Sequence, residues 1–252
     1  MPFIDPIETT QRPKAADLFV KLDEDRPVIV QILQDRASQY YVYWFKDSSG
    51  GWVKYISPGL DTCPVVERNR LVGKESPKYI RASRKYAVMV YDVTPKVVCS
   101  ECGADFWPQD KVKECDCGES LKNVKAAPVN KVRILERGYR LFSQLNSLEG
   151  TVTNAEGDAL SITQYPIMIV RKGSGNETTT TPIPQLHLPA VDPEDYEDQF
   201  LDLPYDSLRL TPDEVLAILD DGVPLSDIFE ARRADNGGDD EDSPEVENDS
   251  MF

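Results

Sequence analysis

Four of the chain's five cysteines fall within nineteen residues, as Cys99-Ser100-Glu101-Cys102-Gly103 and Cys115-Asp116-Cys117-Gly118, with twelve residues between the pairs. Zinc takes four soft ligands at tetrahedral corners, and two close cysteine pairs on facing turns supply them. The glycine after each pair suits a tight knuckle, whereas the one-residue spacing of the second pair departs from the usual two. The competing readings are reduced loop cysteines or a redox pair. Taken as a metal site, Cys99, Cys102, Cys115 and Cys117 fill every position around a structural Zn2+ and leave none for water. The quartet is therefore expected to organise a zinc ribbon over residues 95–125. Cys63, 36 residues upstream of Cys99, reads as an isolated core or surface thiol. Cysteines used this way suit a reducing compartment, so a cytoplasmic location is expected.

The segments on either side of the quartet read as strands. Pro27-Val28-Ile29-Val30-Gln31-Ile32-Leu33 is β-branched, and Tyr40-Tyr41-Val42-Tyr43-Trp44-Phe45 is the densest aromatic run in the chain. Asp47-Ser48-Ser49-Gly50-Gly51 is turn chemistry, after which Trp52-Val53-Lys54-Tyr55-Ile56 returns as the second strand of a hairpin. Arg84 to Asp92, Lys131 to Glu136 and Tyr165 to Val170 complete the set. Helices are expected from Cys63 to Val72 behind an Asp61/Thr62 cap, and over Gly138 to Leu148, where apolar residues recur at helical spacing. Five or so strands of this set, with an intervening helix, fit a small closed or partly open barrel, of which the oligonucleotide-binding fold is the commonest design. The strand count alone does not separate it from other small barrels.

Composition divides the chain. The total charge is −16, but residues 192–252 hold 21 acidic groups against Arg209, Arg232 and Arg233, a net −18 that leaves +2 for the remainder. The sequence therefore predicts a loose arm at residues 1–14, a barrel domain at 15–185, a Pro-rich linker with a short helix at 186–233, and a disordered acidic tail at 234–252. In the linker, Thr211 and Pro212 have the chemistry of a helix cap and first turn. No stretch is apolar enough to span a membrane, and the first residues lack the pattern of a secretory signal.

Strands that bind single strands offer rings that stack on bases and cations that follow phosphates. Alternation places Tyr41, Tyr43 and Phe45 on one face and Tyr40, Val42 and Trp44 on the other. One set packs the core, and the other, with Trp52 or Tyr55, is free to form a platform; the sequence leaves open which. Residues 72–140 carry 14 lysines and arginines against nine acids. Candidate stacking residues are Tyr41, Tyr43, Trp44, Trp52 and Tyr55. Candidate phosphate contacts are Lys54, Arg81, Arg84, Lys85, Arg133 and Lys172.

Three segments together resemble bacteriophage single-stranded DNA-binding proteins. They are Tyr86-Ala87-Val88-Met89-Val90-Tyr91-Asp92; Lys131 to Leu145, with its glycine-led helix; and Tyr165-Pro166-Ile167-Met168-Ile169-Val170-Arg171-Lys172-Gly173-Ser174-Gly175. Asp61-Thr62-Cys63-Pro64-Val65 is similar to that family's Cys-Pro segment, although its usual second cysteine is replaced here by Val66 or Glu67. The likeness covers roughly residues 18–185. It implies an oligonucleotide-binding fold, sequence-independent binding of single-stranded DNA, and service in phage replication, recombination and repair inside the bacterial host. Some members carry structural zinc on different ligands. The acidic end, with Asp249, Met251 and Phe252, is similar to the tail tips of bacterial single-stranded DNA-binding proteins, which implies recruitment of replication enzymes. So charged a segment is also expected to compete with DNA for a basic groove.

An enzyme is not expected. His187 is the only histidine and lies in a Pro-rich stretch, and no nucleophile motif or phosphate-binding glycine loop occurs. The main alternative is a zinc-ribbon adaptor or transcription regulator with an acidic interaction tail. A DNA mimic is disfavoured, because the acid is confined to one end.

Overall fold

The aromatic run and its return strand pair as the turn chemistry requires. Strand β2 (Ser38–Lys46) and β3 (Trp52–Ile56) are antiparallel, with Tyr43 opposite Tyr55 and Phe45 opposite Val53. Their turn closes on Asp47, whose carboxylate accepts from the Gly51 N–H at 2.8 Å and from the Ser49 hydroxyl at 2.7 Å. The computed structural model containing this hairpin describes residues 18–235, apart from 58, 60 and 174–176. The expected arm at 1–14, the tail beyond 235 with Asp249, Met251 and Phe252, and the Ser174-Gly175 pair lie outside the described residues.

The fold is mainly β with antiparallel sheets and a few helices, as the alternating segments required. Its axis is β4 (Ala82–Asp92), eleven residues long. The first half of β4 pairs with β2, its last three residues pair with β1 (Val28–Ile32), and its other edge pairs with β8 (Lys131–Gly138). Beyond β1 come β9 (Pro166–Lys172) and an outer strand, β10 (Thr179–Pro184), giving the order β10-β9-β1-β4-β2-β3 with β8 on β4. The Thr-rich β10, interrupted by prolines, falls outside the expected strands; Pro182 and Pro184 suit an edge strand, where the missing N–H costs no ladder bond. Before β1 the chain bridges the far edges, Phe19 to Ile134 and Glu24 to Arg171.

Register assigns each strand residue to one of two faces. The front face carries Val30, Ile32, Val88, Val90, Leu135, Ile167 and Ile169, and over them lies α2 (Tyr139–Leu148) through Leu141 and Leu145. On the hairpin half of the same face, Tyr43, Phe45, Val53 and Tyr55 pack beneath α1 (Pro64–Val72), α3 (Pro212–Leu219) and α4 (Leu225–Asp235). Each such large side chain contributes about 1.5–3 kcal/mol on burial. Helix α1 begins one residue later than the Asp61/Thr62 cap predicts. Cys63 is its N-cap, without a side-chain hydrogen bond, and Pro64 occupies the first turn, where its missing N–H has no intrahelical role.

The back face is covered by residues that read as linker. Val191, Tyr196, Phe200, Leu201, Leu203 and Tyr205 pack on Leu33, Tyr40, Val42, Ala87, Met89 and Tyr91. Gln31, only 1% exposed, anchors them: its amide donates to the carbonyls of Thr163 and Val191 at 2.7 Å and accepts from the Val191 N–H at 2.8 Å. Thr211 caps α3 and Pro212 opens it, as expected, and the structure adds a capping box with Glu214. Arg232 of α4 then grips Glu214 at 2.6 Å, which holds that carboxyl below its ordinary pKa. These apolar residues are legible in the sequence as residues but not as an element, because they follow neither a helical nor a strand period.

The cysteine-bearing insert builds its own three-stranded sheet from β5 (Pro95–Val98), β6 (Asp105–Phe106) and β7 (Ala127–Pro128). A buried charge cluster fixes it to the body. Arg133, 5% exposed, pairs with Asp92 at 3.0 Å and with Asp105, and Lys96 reaches Asp105 at 2.5 Å. Burial pushes the Asp105 carboxyl up, but Lys96 and Arg133 outweigh it and hold it below the ordinary carboxylate value. The Trp107 indole N–H donates to Asp23 at 3.0 Å, and Arg26 pairs with Asp110 at 2.6 Å. Replacing Arg133 with Met leaves two carboxylates without their shared cation, so a loss of about 3–5 kcal/mol is expected in urea unfolding. A loss under about 1 kcal/mol, the scale of an ordinary surface pair, would mean that the cluster does not join insert to body.

Candidate metal centre and nucleic-acid interface

The two cysteine pairs face each other. All four Sγ atoms lie within 4.8 Å of one another, with Cys99 and Cys117 at 3.5 Å and Cys102 and Cys115 at 3.4 Å. A tetrahedral ion with sulfurs at about 2.3 Å needs sulfur separations of about 3.8 Å; the two close pairs fall short of that and no separation exceeds 4.8 Å, so the quartet is compatible with such an ion after adjustment of the side chains. Both turns are knuckles. Gly103 N–H donates to the Cys99 carbonyl at 3.0 Å and Gly118 N–H to the Cys115 carbonyl at 2.8 Å, with φ of +72° and +90°, values that favour glycine. Backbone N–H groups of Cys102 and Glu101 point at the Cys99 sulfur, and that of Cys102 does most to lower its thiol pKa. Donors aimed at sulfur favour thiolate, the form that ligates metal. The shortened second pair closes by another route: Cys115 N–H donates to the Glu119 carbonyl at 2.8 Å. Cys63 is buried between β3 and α1, away from the quartet.

A second constellation lies on the front face, between the part covered by α2 and the part covered by α1, α3 and α4. In this gap Tyr41 stands opposite Arg84, and Tyr86 opposite Arg137. The Arg84 guanidinium is exposed and lies 5.9 Å from the Tyr41 ring centroid. Tyr86 stacks on Phe142 at 5.4 Å and approaches Tyr139 at 6.2 Å, and Tyr139 is 62% exposed. Burial and then the charge of Arg171 lower the pKa of Arg137, with Glu136 and Asp23 acting in the opposite sense. Each guanidinium also donates to a backbone carbonyl, Arg137 to Glu136 at 3.0 Å and Arg171 to Leu22 at 2.8 Å. The front-face residues of β2, β4, β8 and β9 include one carboxylate, Asp92, and Arg133 occupies it.

The candidate binding residues separate accordingly. Tyr41 and Arg84 meet on the front face. Tyr43 and Tyr55, 2% and 1% exposed, are core, because the C-terminal helices cover the hairpin half of the sheet. Arg133 belongs to the buried cluster that holds the insert. Lys54 and Lys85 are on the back face, where Lys54 pairs with Glu136 at 2.9 Å and half-buried Lys85 faces the same carboxylate. The Tyr40 hydroxyl donates to Glu136 at 2.5 Å, and burial with that carboxylate holds the phenol protonated. Trp44 and Trp52, 46% and 44% exposed, also face the back, with the Lys46 ammonium 5.2 Å from the Trp52 ring. Arg81 and Lys172 are exposed near strand ends, and His187 is exposed in a turn. Tyr86, Arg137, Tyr139 and Arg171 are not among the candidates read from the sequence, although Arg137 and Arg171 belong to its basic groups. Alternation joins Tyr86 to Arg84, but only the β4–β8 register brings Arg137 opposite.

No described helix is long and apolar enough to cross a membrane. No protein-family model matches the chain, and no curated protein matches it.

Proposed function

We propose that this protein is a non-catalytic binder of single-stranded DNA that holds its ligand without sequence preference along the front-face gap. The observation that carries the reading is the double cross-strand row of Tyr41 with Arg84 and Tyr86 with Arg137, continued by exposed Tyr139 and free of unpaired carboxylates. Unpaired bases stack on such rings at about 1–3 kcal/mol each, and the arginines follow the phosphates. A duplex hides its bases from stacking, so the row favours single strands. The back-face pair Trp44 and Trp52 with Lys46 supplies a second stacking surface.

The sheet is read here as an oligonucleotide-binding barrel. In such a barrel the segment that bridges Phe19 to Ile134 and Glu24 to Arg171 would join β8 to β9, and the insert, with Zn2+ on Cys99, Cys102, Cys115 and Cys117, would cap one end. Such a protein would protect single strands in replication, recombination and repair, in a phage-infected cytoplasm if the resemblance of the sequence extends to its setting. The acidic segment with Asp249, Met251 and Phe252 would recruit replication proteins.

Fluorescence anisotropy with a labelled oligo-dT of about 30 nucleotides tests the reading, with the same oligonucleotide as duplex for comparison. Binding at least tenfold tighter to the single strand is expected. Equal or absent binding would remove the DNA reading in favour of a zinc-ribbon adaptor.

A further inference from the structure

The insert carries a cavity of about 410 Å3 that neither the metal centre nor the front-face gap uses. Its walls are Val97, Phe106, Trp107, Val112, Leu121 and Val124, and its charged lining consists of Lys111, Lys113 and Lys122, with no acid among them. All three lysines are exposed, and none has a hydrogen-bond or ion-pair partner for its ammonium group among the described residues. Within the same insert, Lys96 and Asp105 are tied to each other, and Asp110 is tied to Arg26. The lysines are thus uncommitted charges lining an apolar hollow, while the insert's other unpaired charges, Glu101, Glu114, Asp116, Glu119 and Lys125, lie outside that lining. Its volume lies in the range of about 300–1,000 Å3 typical of ligand sites, with room for one or two large side chains.

The chain contains a segment with the complementary chemistry. Residues 236–252 hold seven acids, Asp239 to Asp242, Glu245, Glu247 and Asp249, no lysine or arginine, and two large apolar side chains in Met251 and Phe252. We propose that the cavity of the insert is the resting site of this segment in its own chain. Met251 and Phe252 enter the hollow, and the acids lie against Lys111, Lys113 and Lys122.

Reach permits it. Seventeen residues span up to about 60 Å, and a folded body of about 220 residues has a radius of gyration of about 17 Å. Tethering places the segment at an effective concentration of order millimolar, so even a weak contact is populated. Docking on the insert replaces the competition for the basic groove that the segment's charge alone predicts, and leaves the segment available to a partner that binds it more tightly.

Zero-length carbodiimide coupling of the full chain at low salt, read by mass spectrometry, tests this without any DNA. Its failure is therefore distinct from failure of the DNA reading. Links from Lys111, Lys113 or Lys122 to acids of residues 239–249 are expected, at a yield unchanged by tenfold dilution. Met251→Ser with Phe252→Ser is expected to reduce the yield at least fivefold while metal content stays the same. Raising the salt from about 50 mM to about 500 mM should reduce it several-fold. Links spread evenly over lysines elsewhere, links that vanish on dilution, or a yield indifferent to the Met251/Phe252 change would each overturn the proposal.

Discussion

Stripping metal from the cysteine quartet is expected to unfold residues 95–128 while leaving the large sheet intact. The charge cluster around Arg133 and the Trp107 contact tie the base of the insert to the body, but the part around the cysteines has little core of its own. Its own core is Leu121 and the two buried cysteines, flanked by partly buried Val97, Ala104, Phe106 and Val112. A segment that small does not bury enough apolar area to fold alone, and structural zinc supplies about 10–16 kcal/mol in comparable peptides. Purified protein should release about one zinc ion per chain to a chelator. Four thiols should become reactive as it does so, with buried Cys63 remaining protected until global unfolding. Because Trp107 is packed in the main core and bonded to Asp23, its fluorescence should report the loss. Cys102→Ser should give the same outcome without chelator. A metal-free protein whose four thiols react at once, with the Trp107 environment unchanged, would refute the metal centre.

Arg84→Glu combined with Arg137→Glu is expected to weaken oligo-dT binding by at least a hundredfold. Each reversal removes a cation and adds an anion beside a ring on which a base would stack. The salt slope should flatten by about 0.7 for each phosphate that the protein no longer neutralises, the value for single strands. Lys85 provides an internal control. It neighbours Arg84 in sequence, yet register turns it to the back face against Glu136 and Tyr40. Lys85→Ala should therefore change affinity less than threefold, whereas Arg84→Ala should cost about tenfold. Equal effects at the two positions would mean that the strand does not run along the front face. Circular dichroism of each variant separates impaired binding from a damaged fold.

The contrast between Arg84 and Lys85 marks the limit of linear reading. Both residues belong to one basic cluster before a strand, and charge counts treat them alike. Alternation says that they point apart, but not which one meets solvent beside aromatic rings. The same limit applies to Tyr41, Tyr43 and Tyr55. The common face of Tyr41 and Tyr43 is readable from period two, whereas the burial of Tyr43 and Tyr55 is decided by helices that lie about 170 residues later in the chain.

What the sequence determined by itself was local. The cysteine spacing, the hairpin around Asp47, the strands at Val28–Ile32 and Lys131–Gly138, the helix cap at Thr211 and the division into a near-neutral body and an acidic end follow from neighbouring residues. Backbone sterics, side-chain alternation and turn hydrogen bonds act within a few residues, so a linear reading captures them. Tertiary structure decided which faces are covered. Residues 191–205 coat the back of the sheet, α3 and α4 bury Tyr43 and Tyr55, Arg133 is committed to Asp92 and Asp105, and Arg137 is brought opposite Tyr86. Those outcomes depend on strand register and on burial against distant segments, and neither quantity is carried by the residues nearby.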